Sequence, residues 1–144
     1  MKPGVVAAIA ACEQRGGRIT PLRRQVLAAL WDSSRPLGAY ELRDRLAAAT
    51  QRRVPLPSVY RSLAFLCEHR VAVRIESLNA FLACRRPELD APRVYFLCER
   101  CRQALEIDDG SLERRILEGA AEVGFEVDHR IIELTGVCRK CAGP

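Results

Sequence analysis

Four cysteines form two pairs with the same internal spacing. Cys98 and Cys101 lie in "YFLCERCRQALEI", and Cys138 and Cys141 lie in the C-terminal "GVCRKCAGP", with 36 residues between the pairs. A Cys-x-x-Cys turn places two sulfurs on one metal ion, and two such turns complete the tetrahedral thiolate shell that zinc prefers. Four protein ligands leave no open coordination position. The spacing therefore predicts a structural zinc site with one ion per chain.

Two other uses of the four thiols share part of this pattern. A redox dithiol needs a thiol of lowered pKa, often at the start of a helix, and neither "CERC" nor "CRKC" follows a clear strand-to-helix signal. A rubredoxin-like iron–thiolate centre has the same ligand set as the zinc site, and the residues alone leave it open. Cys12 and Cys67 have no partner at ligand spacing, so we expect them to face the core.

The charges divide the chain into a basic and an acidic part. Residues 1–86 contain 15 Arg or Lys and 6 Asp or Glu, a net charge of +9, whereas residues 87–144 contain 8 and 12, a net charge of −4. A basic module beside an acidic one suggests that the first binds a polyanion. No apolar run approaches the roughly 20 residues of a membrane span. The N-terminal residues form no convincing signal peptide, so we expect no membrane and a cytoplasmic location.

The first 85 residues have the pattern of a winged helix-turn-helix. Helices are expected over "PLRRQVLAALWD", which follows the N-cap residue Thr20, and over "AYELRDRLAAAT" and "PSVYRSLAFLCEHR". The alternating "VAVRIE" and "NAFLAC" that follow predict a β-hairpin. In a winged helix-turn-helix the second helix of the turn enters the DNA major groove. The residues expected near the exposed start of that helix are Ser58, Tyr60, Arg61 and Ser62.

Residues 93–144 predict a small αβ module that follows a Pro-containing linker. Two strands flank the first cysteine turn, a helix covers "SLERRILEGAAEVG", and a final strand covers "FEVDHRIIELTG". The expected inward face of the helix consists of Leu112, Ile116, Ala120 and Val123. One helix cannot cover both faces of a sheet in about 50 residues. We therefore expect a partner subunit to cover the rest.

Taken together, these segments resemble the ferric uptake regulator family, and within it most closely the zinc uptake regulators. The resemblance runs from about residue 18 to Cys141 and rests on "TPLRRQVLAAL", "SVYRSLAFL", "FLCERC" and "GFEVDHRIIELTGVCRKC". It implies an α+β chain: a winged-helix DNA-binding domain (1–85), a linker (86–92) and an αβ dimerisation domain with structural zinc (93–144). It also implies a homodimeric, metal-dependent transcriptional repressor that binds palindromic double-stranded DNA operators and is not an enzyme.

The resemblance also assigns site residues. Tyr60 and Arg61 match the Tyr-Arg of the family's recognition helix, and we expect Ser58 and Arg23 at the same DNA interface. The four cysteines of the two pairs match the family's structural zinc ligands.

The regulatory metal site is where this chain departs from its relatives. Zinc regulators of this type use a ligand at the start of the hairpin, a Cys at its end, linker histidines and an acid after the first cysteine turn. Cys84 and Glu106 match two of these positions, but Val73 replaces the first, and the linker contains no histidine. A second, weaker regulatory zinc would use Cys84, Glu106, Asp90 and His129.

Two alternatives to a zinc-sensing repressor are open, and the first follows from this departure. The chain is then a family regulator with lost or altered metal sensing: responsive to thiol oxidation, responsive to haem bound by Cys84 or His129, or constitutive in its DNA binding. A protein of another class, for electron transfer or thiol exchange at the four cysteines, leaves the basic helix-turn-helix unexplained.

Overall fold

Two units make up the chain, residues 1–88 and 89–144. The computed structural model describes residues 1–88, 93–128 and 130–144. The first unit contains four helices and two strands: α1 (Pro3–Gln14), α2 (Pro21–Trp31), α3 (Ala39–Thr50), α4 (Leu56–Glu68), β1 (Ala72–Ile75) and β2 (Ala80–Ala83). The second contains three strands and two helices: β3 (Arg93–Cys98), β4 (Ala104–Ile107), α5 (Gly110–Glu122), β5 (Ile131–Gly136) and α6 (Arg139–Ala142).

The first unit is held by an apolar core between its helices. Thr20 accepts a hydrogen bond from the backbone N–H of Arg23, which fixes the start of α2 as its sequence predicts. Fully buried side chains come from each of the four helices: Val5, Val26, Leu27, Leu30, Leu42, Val59, Leu63 and Leu66. On α3 the last inward side chain is Leu46, because Ala49 is exposed. Burial of this many aliphatic side chains, at about 1.5–3 kcal/mol each, gives the module its own core.

The wing is an antiparallel hairpin in which β1 pairs with β2. A 3-10 turn over Glu76–Leu78 joins the strands, and Asn79 closes it in the left-handed region at φ 46°. The segment before α3 adds a third strand-like contact, because Leu37 and Phe81 exchange both backbone hydrogen bonds. These bonds attach the hairpin to the helices.

Gly4 allows α1 to approach α2 closely. A Cβ at this position would lie 2.3 Å from the Trp31 ring, and the guanidinium of Arg85 stacks on the same ring at 4.3 Å. We expect Gly4→Ala to lower the free energy of unfolding by about 1–3 kcal/mol, because α1 or the indole must shift. Trp31 is the only tryptophan, so its fluorescence during thermal unfolding reports the change directly.

The matched control is Gly119→Ala on α5. No atom lies within 4 Å of a Cβ added there, and alanine is favoured over glycine in a helix by about 1 kcal/mol. This variant should unfold at the wild-type temperature or slightly above it. Equal behaviour of the two alanine variants would contradict the close approach of α1 to Trp31.

The second unit is built on a three-stranded sheet of order β4-β3-β5. β3 is antiparallel to β4 and parallel to β5. The final strand begins at Ile131, later than its sequence predicts, so residues 125–128 precede β5 without regular structure. The central strand buries Val94, Tyr95 and Leu97. A parallel β5 returns the C-terminus to the end of β3 that carries the first cysteine turn.

Helix α5 has a capped start and a glycine at its end but is not buried. Asp109 caps its first turn by accepting from the N–H groups of Ser111 and Leu112, and Gly124 ends it at φ 69°. None of its residues is fully buried, and Val123, expected to face inward, is 79% exposed. The apolar face of α5 is thus only partly covered within one chain. Among the described residues, every helix is too short or too polar to traverse a lipid bilayer.

Candidate metal centre and nucleic-acid interface

The first cysteine turn is formed where β3 passes into β4. The backbone N–H of Cys98 donates to Gln103 (3.0 Å), and that of Arg102 donates to Cys98 (2.9 Å). Arg102 adopts the left-handed conformation at φ 65°, which closes the turn. The chain therefore reverses within four residues and brings Cys101 back beside Cys98.

The second cysteine turn is placed next to the first by the parallel strand. β5 keeps its register with β3 until Gly136 lies opposite Cys98, and the N–H of Glu99 donates to Gly136 O (2.9 Å). Cys138 then caps the short helix α6, where the N–H of Cys141 donates to Cys138 O (3.1 Å). Strand pairing alone thus brings together residues that are about 40 positions apart.

The four sulfurs form one cluster. All four Sγ atoms lie within 4.8 Å of one another, and those of Cys101 and Cys138 are 3.7 Å apart. A tetrahedral zinc ion with bonds of about 2.3 Å places its sulfurs about 3.8 Å apart, so the geometry fits zinc. The residues are Cys98, Cys101, Cys138 and Cys141. No other such group of three or more potential ligands occurs in the described parts of the chain.

The thiols of this cluster have opposed pKa shifts. Hydrogen bonds from the backbone N–H groups of Cys138, at 3.3 Å, and of Cys101 lower the pKa of the Cys98 thiol to about 6. The hydrogen bond that the Cys141 thiol donates to the Cys138 sulfur, followed by desolvation, raises the pKa of Cys141 to about 12. Four sulfurs at this separation cannot all ionise unless a cation shares their charge. A bound ion of charge +2 supplies it and leaves no open position for a substrate.

The remaining cysteines lie apart from the cluster. Cys12 is buried and Cys67 is half-buried, and burial raises the pKa of the Cys67 thiol to about 11. The sequence gives no sign that Cys12 lies near a histidine, yet its Sγ and the ring of His69 both border Gly17. His69 Nδ1 donates to Phe65 O (2.9 Å), and the half-buried His69 ring packs against the Phe65 ring of α4 with the centroids 4.1 Å apart.

The expected regulatory ligands are distributed over both units. Cys84 follows β2 and is 1% exposed, with its N–H donating to Val71 O (3.0 Å). Val73 is buried in β1. Glu106 lies on β4 and forms an ion pair with Arg93 at 3.2 Å. Asp90 and His129 lie outside the described residues.

The start of α4 presents the side chains expected to meet DNA. Tyr60 is 40% exposed, Arg61 is exposed, and Arg61 Nη2 donates to Ser58 Oγ (3.3 Å). Ser62, by contrast, is buried at 5% exposure, because it lies on the same face as Val59 and Leu66. The exposed surface at the start of the helix is therefore narrower than expected. No acidic residue occurs in its first turn.

Arg23 has a different setting from the residues on α4. Its guanidinium stacks on the Phe65 ring at 3.5 Å and donates to Arg18 O (2.7 Å). A cation over an aromatic face is worth about 0.5–1 kcal/mol at an exposed site. Arg23 thus joins α2 to α4.

An apolar stripe crosses one face of the sheet in the second unit. Phe96 is the register partner of both Leu105 on β4 and Leu134 on β5. The three side chains are 43%, 48% and 45% exposed, respectively. Aligned apolar side chains of this kind on three adjacent strands form a contiguous patch, which is the usual mark of an interaction surface.

Comparison with known proteins places these features in a family. The model of the Ferric uptake regulator family matches residues 14–135. The zinc uptake regulation protein of Escherichia coli (strain K12) is 35% identical over 133 residues, which cover 90% of this chain and 76% of that protein. The crystal structure of holo XcZur matches with a TM-score of 0.84 and 36% identity over 96% of each chain. A zinc uptake regulator complexed with zinc and DNA matches with a TM-score of 0.87 and 32% identity, over 96% of this chain and 92% of that one.

Proposed function

The chain belongs to the ferric uptake regulator family, and we propose that it is a zinc-responsive transcriptional repressor that binds palindromic DNA operators as a homodimer. The observation that carries the proposal is the match, over 96% of the chain, with a zinc uptake regulator complexed with zinc and DNA. A regulator of this kind acts on chromosomal DNA, so the proposal includes a cytoplasmic location. The proposed domains are 1–85 and 93–144, with 86–92 as the linker.

The DNA-binding part of the proposal rests on α4. A recognition helix enters the major groove with its N-terminal residues toward the bases, and in α4 these are the exposed Tyr60 and Arg61 with the half-buried Ser58. Arg61 can read a base edge with its guanidinium, because that group forms paired hydrogen bonds. Arg23 is proposed as a backbone contact whose guanidinium is already oriented by Phe65, with its remaining N–H groups directed to a phosphate.

The dimerisation part of the proposal rests on the second unit. The apolar stripe of Phe96, Leu105 and Leu134 and the partly covered face of α5 both need a covering surface. A second copy of the chain provides matching apolar surfaces under twofold symmetry. The zinc ion at Cys98, Cys101, Cys138 and Cys141 is proposed to be structural, because it holds the ends of β3 and β5 together at the border of this stripe.

The regulatory part of the proposal assigns a second zinc to Cys84, Glu106, Asp90 and His129. Cys84 ends the wing and Glu106 belongs to the dimerisation sheet, so an ion that binds both would couple the two domains. Two features argue for a weak site. Val73 supplies no ligand, and Glu106 must release Arg93 before its carboxylate can bind the ion. These features also favour the second candidate, a family regulator with lost or altered metal sensing.

The test is operator affinity as a function of buffered free zinc. Operator DNA is first selected from a randomised duplex library with the wild-type protein. We expect zinc to tighten wild-type binding by about tenfold, toward the low end of the range of allosteric couplings, and Cys84→Ser to abolish the gain. The substitution should leave operator affinity in zinc-free buffer unaltered. Zinc acts only through its preference for the DNA-binding conformation, so without zinc there is no effect for the substitution to remove.

The control for this experiment is Cys67→Ser, a half-buried cysteine in the same unit whose raised pKa makes it a poor ligand. It should keep the full zinc response. Wild-type binding that is equally tight with and without free zinc would overturn zinc sensing and favour the constitutive or otherwise regulated alternative.

A further inference from the structure

The turn between α3 and α4 is exposed, basic and stiff. Gln51 ends α3 in the left-handed region at φ 55° and donates to Ala48 O (2.8 Å). Arg52 and Arg53 follow, both exposed, and Pro55 then sets the entry into α4. Proline fixes its own φ and restricts the residue before it, so this turn has few conformations to lose on binding.

Most guanidinium groups of the first unit are already engaged. Carboxylates hold four of them, and these are Arg35, Arg43, Arg45 and Arg74. Backbone carbonyls hold three more, and these are Arg15, Arg23 and Arg85. Within the described residues, Arg52 and Arg53 donate no hydrogen bond and form no ion pair. They are two adjacent, unneutralised cations beside a helix end that lacks acidic residues in its first turn.

The two arginines and the N-terminus of α4 create positive potential at the same place. The N-terminus of a helix carries a partial positive charge, so Arg52 and Arg53 add to a positive potential that nothing in the first turn of α4 offsets. An anion bound there would be attracted both by the guanidinium groups and by the helix N-terminus. Guanidinium groups match phosphate oxygens in paired hydrogen bonds, and this makes a phosphodiester backbone the best-suited occupant.

We propose that Arg52 and Arg53 form a clamp on DNA phosphates at the edge of the major groove that α4 enters. The inference rests on the proposed function. When the start of α4 faces base edges, the residues that immediately precede it lie beside the sugar–phosphate backbone. Such contacts fix the position of the protein on the duplex and carry no sequence information. The clamp therefore differs in kind from the contacts of Tyr60 and Arg61.

The experiment uses the zinc-loaded full chain with the double substitution Arg52→Ala/Arg53→Ala. Binding to the selected operator and to a scrambled duplex is measured between about 50 and 200 mM salt. Each lost phosphate contact reduces the salt slope by about 1, so a dimer that lacks four arginines should lose about 4 from the slope. Between these two salt concentrations the ratio of wild-type to variant affinity should therefore fall by roughly 250-fold, and equally for both duplexes.

Two further variants make the result specific. Arg114→Ala/Arg115→Ala removes another adjacent pair of exposed arginines, on α5, and should keep the wild-type slope. Arg52→Lys/Arg53→Lys keeps the charges and should restore the slope. A double alanine variant with wild-type slope, or an equal loss in the α5 control, would overturn the clamp while the proposed function stands. Wild-type protein that binds selected and scrambled duplexes equally would overturn the proposed function, whatever the slopes.

Discussion

Replacing Cys98 with Ser should yield a chain that retains no tightly bound zinc and does not form a stable dimer. The wild-type protein should carry about one tightly bound zinc per chain. The free energy of binding at a comparable four-ligand site, on the order of 10 kcal/mol, is available for folding only while the ligand shell is complete. Cys98 anchors that shell because its sulfur accepts the N–H of Cys138. Zinc content by elemental analysis and mass by light scattering test the prediction.

Cys138→Ser should give the same result, because the two turns contribute equally to one ion. Cys12→Ser is the matched control, since Cys12 lies in the first unit and outside the cluster; it should keep its zinc and its dimer. Strand pairing between β3 and β5 extends up to Gly136. A wild-type protein that stays folded and dimeric after its zinc is removed would therefore show that these backbone bonds suffice, and would contradict a structural role for the ion.

The metal cluster was predictable from sequence because its determinants are short-range. Each Cys-x-x-Cys turn is local, and the strand–helix–strand pattern between them predicts a chain that returns to its starting edge. The match with the family model and the two-part α+β architecture confirm the family and the fold class that the motifs indicate. The helix cap at Thr20 also agrees with the sequence, since a cap depends on only a few neighbouring residues.

The features that the sequence did not reveal depend on long-range packing. Ser62 is buried because the face of α4 that contacts the core includes position i+3 from Val59, and hydrophobicity alone does not identify a buried serine. The stacking of Arg23 on Phe65 joins different helices, so no local periodicity encodes it. Val123 followed the inward pattern of α5 yet is exposed in one chain. Amphipathicity shows which face of a helix avoids water but not which chain covers it.

Arg61→Ala should cause the largest loss of operator affinity among single substitutions that preserve the fold. A side chain that reads a base with paired hydrogen bonds is worth about 1–3 kcal/mol. A twofold dimer uses it in both half-sites, so binding should weaken by at least about thirtyfold. Arg61 is exposed, and among the described residues its side chain forms a hydrogen bond only with the Ser58 hydroxyl, at 3.3 Å, so its removal leaves the core unchanged. Fluorescence anisotropy with the selected operator and with a scrambled duplex measures the loss.

The ratio of the two affinities distinguishes base reading from charge. Arg61→Ala should reduce operator binding far more than scrambled-duplex binding, whereas loss of a phosphate contact weakens both alike. Tyr60→Phe removes only a hydroxyl and should cost about 1 kcal/mol per half-site if that group donates to DNA. Arg115→Ala, which removes the same charge from exposed α5, should keep the wild-type ratio. If Arg61→Ala and Tyr60→Phe both kept the wild-type ratio of operator to scrambled-duplex affinity, α4 would not be the helix that reads the operator.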